Sequence, residues 1–126
     1  MMKAYWFLAA ALLGTLVVSL ALTLMAELLV AWVLGIRTRG DLGVVAAVNA
    51  VTNPLVVFCA CLTSFFWSPQ SLVHQGTELL AEVMAVIAEA LLYRRFLAKR
   101  KPGPWMLSLL LNGASYGLGL ALSLVI

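Results

Sequence analysis

Four of the five acidic residues in this chain stand inside or at the ends of long apolar runs: Glu27, Glu78, Glu82 and Glu89. An acidic side chain at the centre of a membrane-spanning helix costs on the order of 3 kcal/mol to insert. Such groups face a bundle interior or a water-filled cavity, and they mark ion and proton pathways. The chemistry on offer is coordination of a cation by carboxylate oxygens, or exchange of a proton. Asn49, Asn53, Asn112 and Ser115 punctuate the other apolar runs and supply amide and hydroxyl groups of the kind that orient a solute.

Helical spacing predicts that these groups converge. At about 100° per residue, Glu78, Glu82, Glu89 and Tyr93 fall within roughly 60° of one another. Asn49, Thr52, Asn53 and Thr63 share an arc of roughly 100°, as do Ser108, Asn112, Ser115, Tyr116, Gly119 and Ser123. Ser19, Thr23 and Glu27 make a shorter stripe. With a rise of about 1.5 Å per residue, Glu27, Asn49, Asn53, Glu89, Asn112 and Ser115 reach similar depth near the bilayer midplane. Glu82 lies about two turns further out, and Glu78 and His74 approach the outer surface. The expected ligand- or proton-binding set is therefore Glu27, Asn49, Asn53, Glu82, Glu89, Asn112 and Ser115, with His74 and Glu78 as an outer approach. A bound cation is the cofactor this set suggests, and its identity is not indicated. For the Asn and Ser positions alone, interhelical hydrogen bonding is the plainer role. Asn53-Pro54 falls mid-run, and the proline is expected to kink the second helix and free the carbonyl of residue 50 among the stripes.

The elements that must position these residues are membrane helices. The 126 residues are 64% apolar and 10% charged, with a mean hydropathy of +1.08. A soluble domain is nearer half apolar and a quarter charged. A span takes about 20 residues, so the length has room for about four and for no nucleotide-binding module or receptor head. The expected fold is all-α: one four-helix transmembrane bundle with a polar interior, its helices at about 4–35, 42–67, 77–98 and 105–126. Gly35 to Asp41, Ser68-Pro69-Gln70 and Lys101-Pro-Gly-Pro104 supply the breaks, and Asp41 is read as a loop residue.

Seven of the eight basic residues, Arg37, Arg39, Arg94, Arg95, Lys99, Arg100 and Lys101, cluster around the first and third connections. The positive-inside rule makes that side cytoplasmic and turns both termini outward. A basic rim against anionic lipid accounts for the charge without nucleic acid. A cleaved signal peptide over Met1 to Ala26 is the weaker reading, because the apolar stretch is too long and Leu24-Met25-Ala26 is a poor cleavage site.

Other chemistries are less well supplied. Cys59 and Cys61 lie about 200° apart on a helix, so they share no ligand face; Cys59 borders the polar stripe. With His74, Glu78, Glu82 and Met84 they sketch a soft-metal entry site, against which stands the ordinary role of free cysteine as a packing residue. A single histidine does not make a multi-histidine metal site. An intramembrane hydrolase would pair Ser115 with Glu89 and lack an ordinary base, so enzymatic activity is not the expectation. Gly113 with Gly117, and Ser115 with Gly119, permit close helix approach, within the chain or across a homodimer. Trp6, Trp32, Trp67 and Trp105 read as interface anchors.

The runs Asn49-Ala-Val-Thr-Asn-Pro54, Glu89-Ala-Leu-Leu-Tyr93 and Asn112-Gly-Ala-Ser115, together with Glu82, make the chain similar to small bacterial four-helix membrane proteins. That resemblance covers about half the chain, names no family or activity, and implies an inner-membrane location. The functional expectation is a small transporter or channel-like protein for a cation or proton-coupled solute. The competing expectation is an accessory or assembly subunit of a larger membrane complex. The two differ in whether the polar stripes turn toward a shared axis or toward an outer face.

Overall fold

The computed structural model describes residues 1–99 and 101–125, which form four helices. They are α1 (Met2–Val33), α2 (Arg39–Phe66), α3 (Leu72–Phe96) and α4 (Pro104–Val125). Arg100 of the basic rim and Ile126 at the end of the fourth expected span lie outside the described residues. Short connections make successive helices antiparallel. Each helix packs on two others in a ring, α1 on α2 and α4, and α3 on α2 and α4. One end of the bundle carries the two basic connections; the other carries both termini and the link from α2 to α3.

The helix ends follow local chemistry. α1 closes in a Schellman motif: Ile36 N–H donates to the Ala31 carbonyl at 2.9 Å and Gly35 N–H to that of Trp32 at 3.0 Å. Gly35 holds the positive φ, 99°, that this turn requires. The motif buries Ile36 beside Ala31. Thr38 caps α2 by accepting from Asp41 N–H at 3.3 Å. Asp41 is thus not the loop residue expected from the sequence but part of the first turn of α2, and it is buried. α3 begins at Leu72 instead of near residue 77, because the Ser71 hydroxyl accepts from His74 N–H at 3.1 Å and Gly76 continues the helix.

Asp41 also joins the two basic connections. Its Oδ1 accepts from Ala98 N–H at 2.9 Å and its Oδ2 from Lys99 N–H at 3.1 Å. Lys99 Nζ donates in turn to the Gly35 carbonyl at 2.6 Å. Between these connections and the bundle centre lies the hydrophobic cluster of Ala31, Ile36, Val45, Val48, Tyr93, Leu97, Leu107 and Leu111. All eight come from the last turns of α1 and α3, the segments just beyond them, or the first turns of α2 and α4. The bundle is therefore sealed at its basic end.

Large apolar side chains cover the outside, including Val17, Leu29, Phe65 and Leu109. α1, α2 and α4 are long and apolar enough to cross a membrane. Their outward faces suit contact with lipid. α3 is the more polar helix, with three glutamates and two arginines among its residues. Among the described residues, nothing from outside the neighbouring helix backbone would come within 4 Å of a methyl group added at Gly113, Gly117 or Gly119.

Candidate functional site

Beyond the hydrophobic seal, the ring surrounds a half-open cavity of about 340 Å³ that carries polar groups from every helix. All four helices line it: Glu27 from α1, Asn49, Thr52 and Asn53 from α2, Glu82 and Glu89 from α3, and Asn112 and Ser115 from α4. The seven residues proposed from the sequence thus surround one space. Thr52 shares their stripe and belongs with them, although its type alone did not single it out.

The two deepest carboxyls are held in parallel ways. Glu89, 2% exposed, accepts from the Thr52 hydroxyl at 2.6 Å on Oε1 and from the Asn112 amide on Oε2. Glu27, 1% exposed, accepts from the Ser115 hydroxyl at 3.0 Å on Oε1. Its Oε2 is buried with no hydrogen-bond partner among the described residues. Ser115 therefore serves Glu27, across α1 and α4, and not the Glu89 that a hydrolase pairing would need.

Each hydroxyl has a second acceptor. Thr52 Oγ1 lies 3.1 Å from the Val48 carbonyl oxygen, and Ser115 Oγ lies 3.1 Å from that of Asn112. A hydroxyl carries one proton and two lone pairs. It can donate to an ionised carboxylate, or turn to the backbone carbonyl and accept from a protonated carboxyl. Both charge states of Glu27 and Glu89 are thereby accommodated without moving a helix.

A supporting layer fixes the remaining amides. Asn49 donates to the Val45 carbonyl at 2.9 Å and to the Tyr93 hydroxyl at 3.1 Å. Tyr93 follows Glu89 by one turn of α3 and belongs to the hydrophobic cluster. Asn53 donates to Thr23 at 3.0 Å and accepts from Ser19 at 3.5 Å, tying α2 to α1. Ser108 donates to the Val86 carbonyl at 2.7 Å and ties α4 to α3. These partners were visible only as members of polar stripes; which partner each would find depends on how neighbouring helices are rotated.

Two expectations change. The carbonyl that Pro54 deprives of its helical partner is that of Ala50. Ala50 is exposed, and neither Ala50 nor Pro54 lines the cavity. The proline sits about 100° around the helix from Asn53, so its effect falls on the outside of the bundle. Of the cysteines, it is Cys61 and not Cys59 that shares a groove with His74, Glu78 and Glu82.

That groove, of about 1050 Å³, runs along the terminal half of the bundle and shares Val56, Val57, Glu82, Asn112 and Tyr116 with the axial cavity. His74 is buried against it, Nδ1 2.8 Å from the Thr63 hydroxyl and Nε2 3.4 Å from a Glu78 oxygen. His74 and Glu78 thus lie outside the axial cavity, and Glu82 is the carboxyl common to both spaces. Among the described residues, no three His, Cys, Asp or Glu side chains are grouped to hold a metal ion.

The architecture defines a class, a small all-helical bundle with helices able to span a membrane and carboxyl groups on its axis. No family model, curated protein or solved structure matches the chain.

Proposed function

We propose that this protein is an integral membrane transporter or channel-like protein that exchanges a cation or a proton-coupled small solute through its axial cavity. The observation that carries this reading is the pairing of two buried carboxyls with hydroxyls that each have an alternative acceptor. Charge on Glu27 or Glu89 can come and go at little structural cost, which is what exchange at a buried carboxyl requires. Asn49, Asn53 and Asn112 orient the bound species, and Glu82 leads from the outer groove, where His74 and Glu78 stand at the approach. The polar stripes turn inward, which favours transport over an accessory subunit, whose stripes would face a partner.

In this reading the basic connections lie in the cytoplasm of a bacterial cell against anionic lipid, and both termini face outward. The hydrophobic seal then closes the cytoplasmic end, so the cavity is of outward-facing kind. The open Gly113–Gly117 face of α4 suits a second copy of the chain.

Reconstitution into liposomes containing a pH-sensitive dye tests the proposal. An imposed cation gradient is expected to drive proton movement, and Glu89→Gln is expected to abolish it while the helical spectrum stays intact. Undiminished flux in that variant would refute the role of Glu89. Native mass spectrometry showing stoichiometric unrelated subunits would assign the protein to a larger complex instead.

A further inference from the structure

Five donors around the axial cavity have acceptors. Thr52 and Asn112 serve Glu89, Asn49 serves Val45 and Tyr93, Asn53 serves Thr23, and Ser115 serves Glu27. Among the described residues, the fully buried side-chain oxygen without a hydrogen-bond partner is Oε2 of Glu27, on a side chain that is 1% exposed and lines the cavity. With Glu27 ionised, that oxygen is an acceptor, and the group it lacks is a hydrogen-bond donor. Beside Glu27, Glu82 and Glu89, and with no basic side chain among the described lining residues, the donor best suited carries positive charge.

A bare metal ion meets these conditions less well. It takes about six oxygen ligands, whereas both oxygens of Glu89 are turned toward N–H and O–H donors. The cavity's 340 Å³ also exceeds what an ion needs. It falls at the lower end of the roughly 300–1,000 Å³ range of small-molecule sites. Val56, Val57, Ala85 and Leu120 contribute apolar lining, a surface for a short hydrocarbon body.

We propose that the cavity binds a small primary or secondary organic ammonium ion, its N–H donating to Oε2 of Glu27 and its alkyl body resting on Val56, Val57, Ala85 and Leu120. This rests on the exchange reading of the same cavity and names its substrate class. The ion enters from the terminal half, since the hydrophobic cluster closes the basic end. Glu27 must be ionised to receive it, so a proton held there leaves to the medium as the ammonium arrives. The titratable groups around Glu27 are Glu82, Glu89 and, behind Asn49, Tyr93 from α3, with Tyr116 from α4; α2 contributes only amides and hydroxyls. Acidification accordingly weakens binding.

The test is calorimetric titration of the protein in lipid nanodiscs with n-butylammonium, n-butanol, tetramethylammonium and sodium. Saturable binding of n-butylammonium is expected, with proton release and lower affinity in acidic buffer. The neutral alcohol and tetramethylammonium, which has charge but no N–H, are expected to bind far more weakly. Glu27→Gln should weaken n-butylammonium by about tenfold to a hundredfold, the range for a hydrogen bond to a charged group. Glu27→Asp, which keeps a carboxylate, should retain more affinity than Gln and guards against a folding artefact. Thr77→Ala, at a half-buried position outside the cavity, should change nothing. Sodium bound through Glu27 with n-butylammonium ignored would overturn the ammonium assignment and leave cation exchange standing. Equal binding of tetramethylammonium would overturn donation to Glu27. Failure of every cation to bind the wild-type protein would bring down both readings.

Discussion

Asp41 is the residue whose loss should cost this fold most for its size. Its carboxylate is buried, 5% exposed, and accepts two backbone N–H groups from the far connection, Ala98 at 2.9 Å and Lys99 at 3.1 Å. Thr38-Arg-Gly-Asp41 has the spacing of a capping box, in which the acid would normally return to the cap's own N–H. Here its oxygens instead bind the α3–α4 connection, while the charge still lies at the favourable N-terminal end of α2. A hydrogen bond to a charged group contributes about 1.5–3 kcal/mol. Ala98 and Lys99 are exposed residues, so water recovers part of what their amides lose. The expected destabilisation for Asp41→Ala is therefore about 2–4 kcal/mol, below the simple sum of two such bonds. Asp41→Asn keeps one acceptor but turns its NH₂ toward the other amide, and about half that loss is expected. Reversible unfolding in mixed micelles, followed by tryptophan fluorescence, measures both. Hydrogen exchange should show the Ala98 and Lys99 amides losing protection in Asp41→Ala ahead of the amides of the α2 interior. A loss under about 0.5 kcal/mol, the range of an ordinary surface substitution, would refute the idea that this carboxylate fastens the basic end.

Two further experiments probe the seal and the site. Gly35→Ala should cost about 1–2 kcal/mol, because a Cβ is strained at positive φ and would come within 2.6 Å of Lys99 Nζ; adding Lys99→Ala should not restore stability in the same unfolding assay, since the backbone strain remains. A double-mutant cycle of Thr52→Val with Glu89→Gln should give a coupling of about 1 kcal/mol or more, whereas Thr77→Val with Glu89→Gln should be additive within about 0.5 kcal/mol. Additivity in the first pair would mean that the Thr52 hydroxyl does not serve Glu89 in the membrane.

Much of the architecture was legible in the residues because the signals are local. Apolar runs of membrane length separated by glycine, proline and charge announce helices, and the 3.6-residue period places Glu89, Asn49 and Asn112 on definite faces. That period also showed that the polar faces could meet on one axis, and depth counting placed the same residues at one level. What the residues could not disclose was pairing. Ser115 reaches Glu27 instead of Glu89, and Tyr93 meets Asn49, because the rotation of each helix against its neighbours decides which stripe members touch. Asp41 appeared to be a loop residue in a glycine-flanked polar stretch, and the partners of its carboxylate, more than fifty positions away in the chain, were not legible there. The carbonyl freed by Pro54 was expected among the polar groups, but it faces outward with Ala50. Helix content and polar faces are thus properties of short segments and are written in them. The lone acceptor on Glu27, the two-way hydroxyls and the closed basic end arise only when four segments pack, because each depends on a distance between helices that no single segment contains.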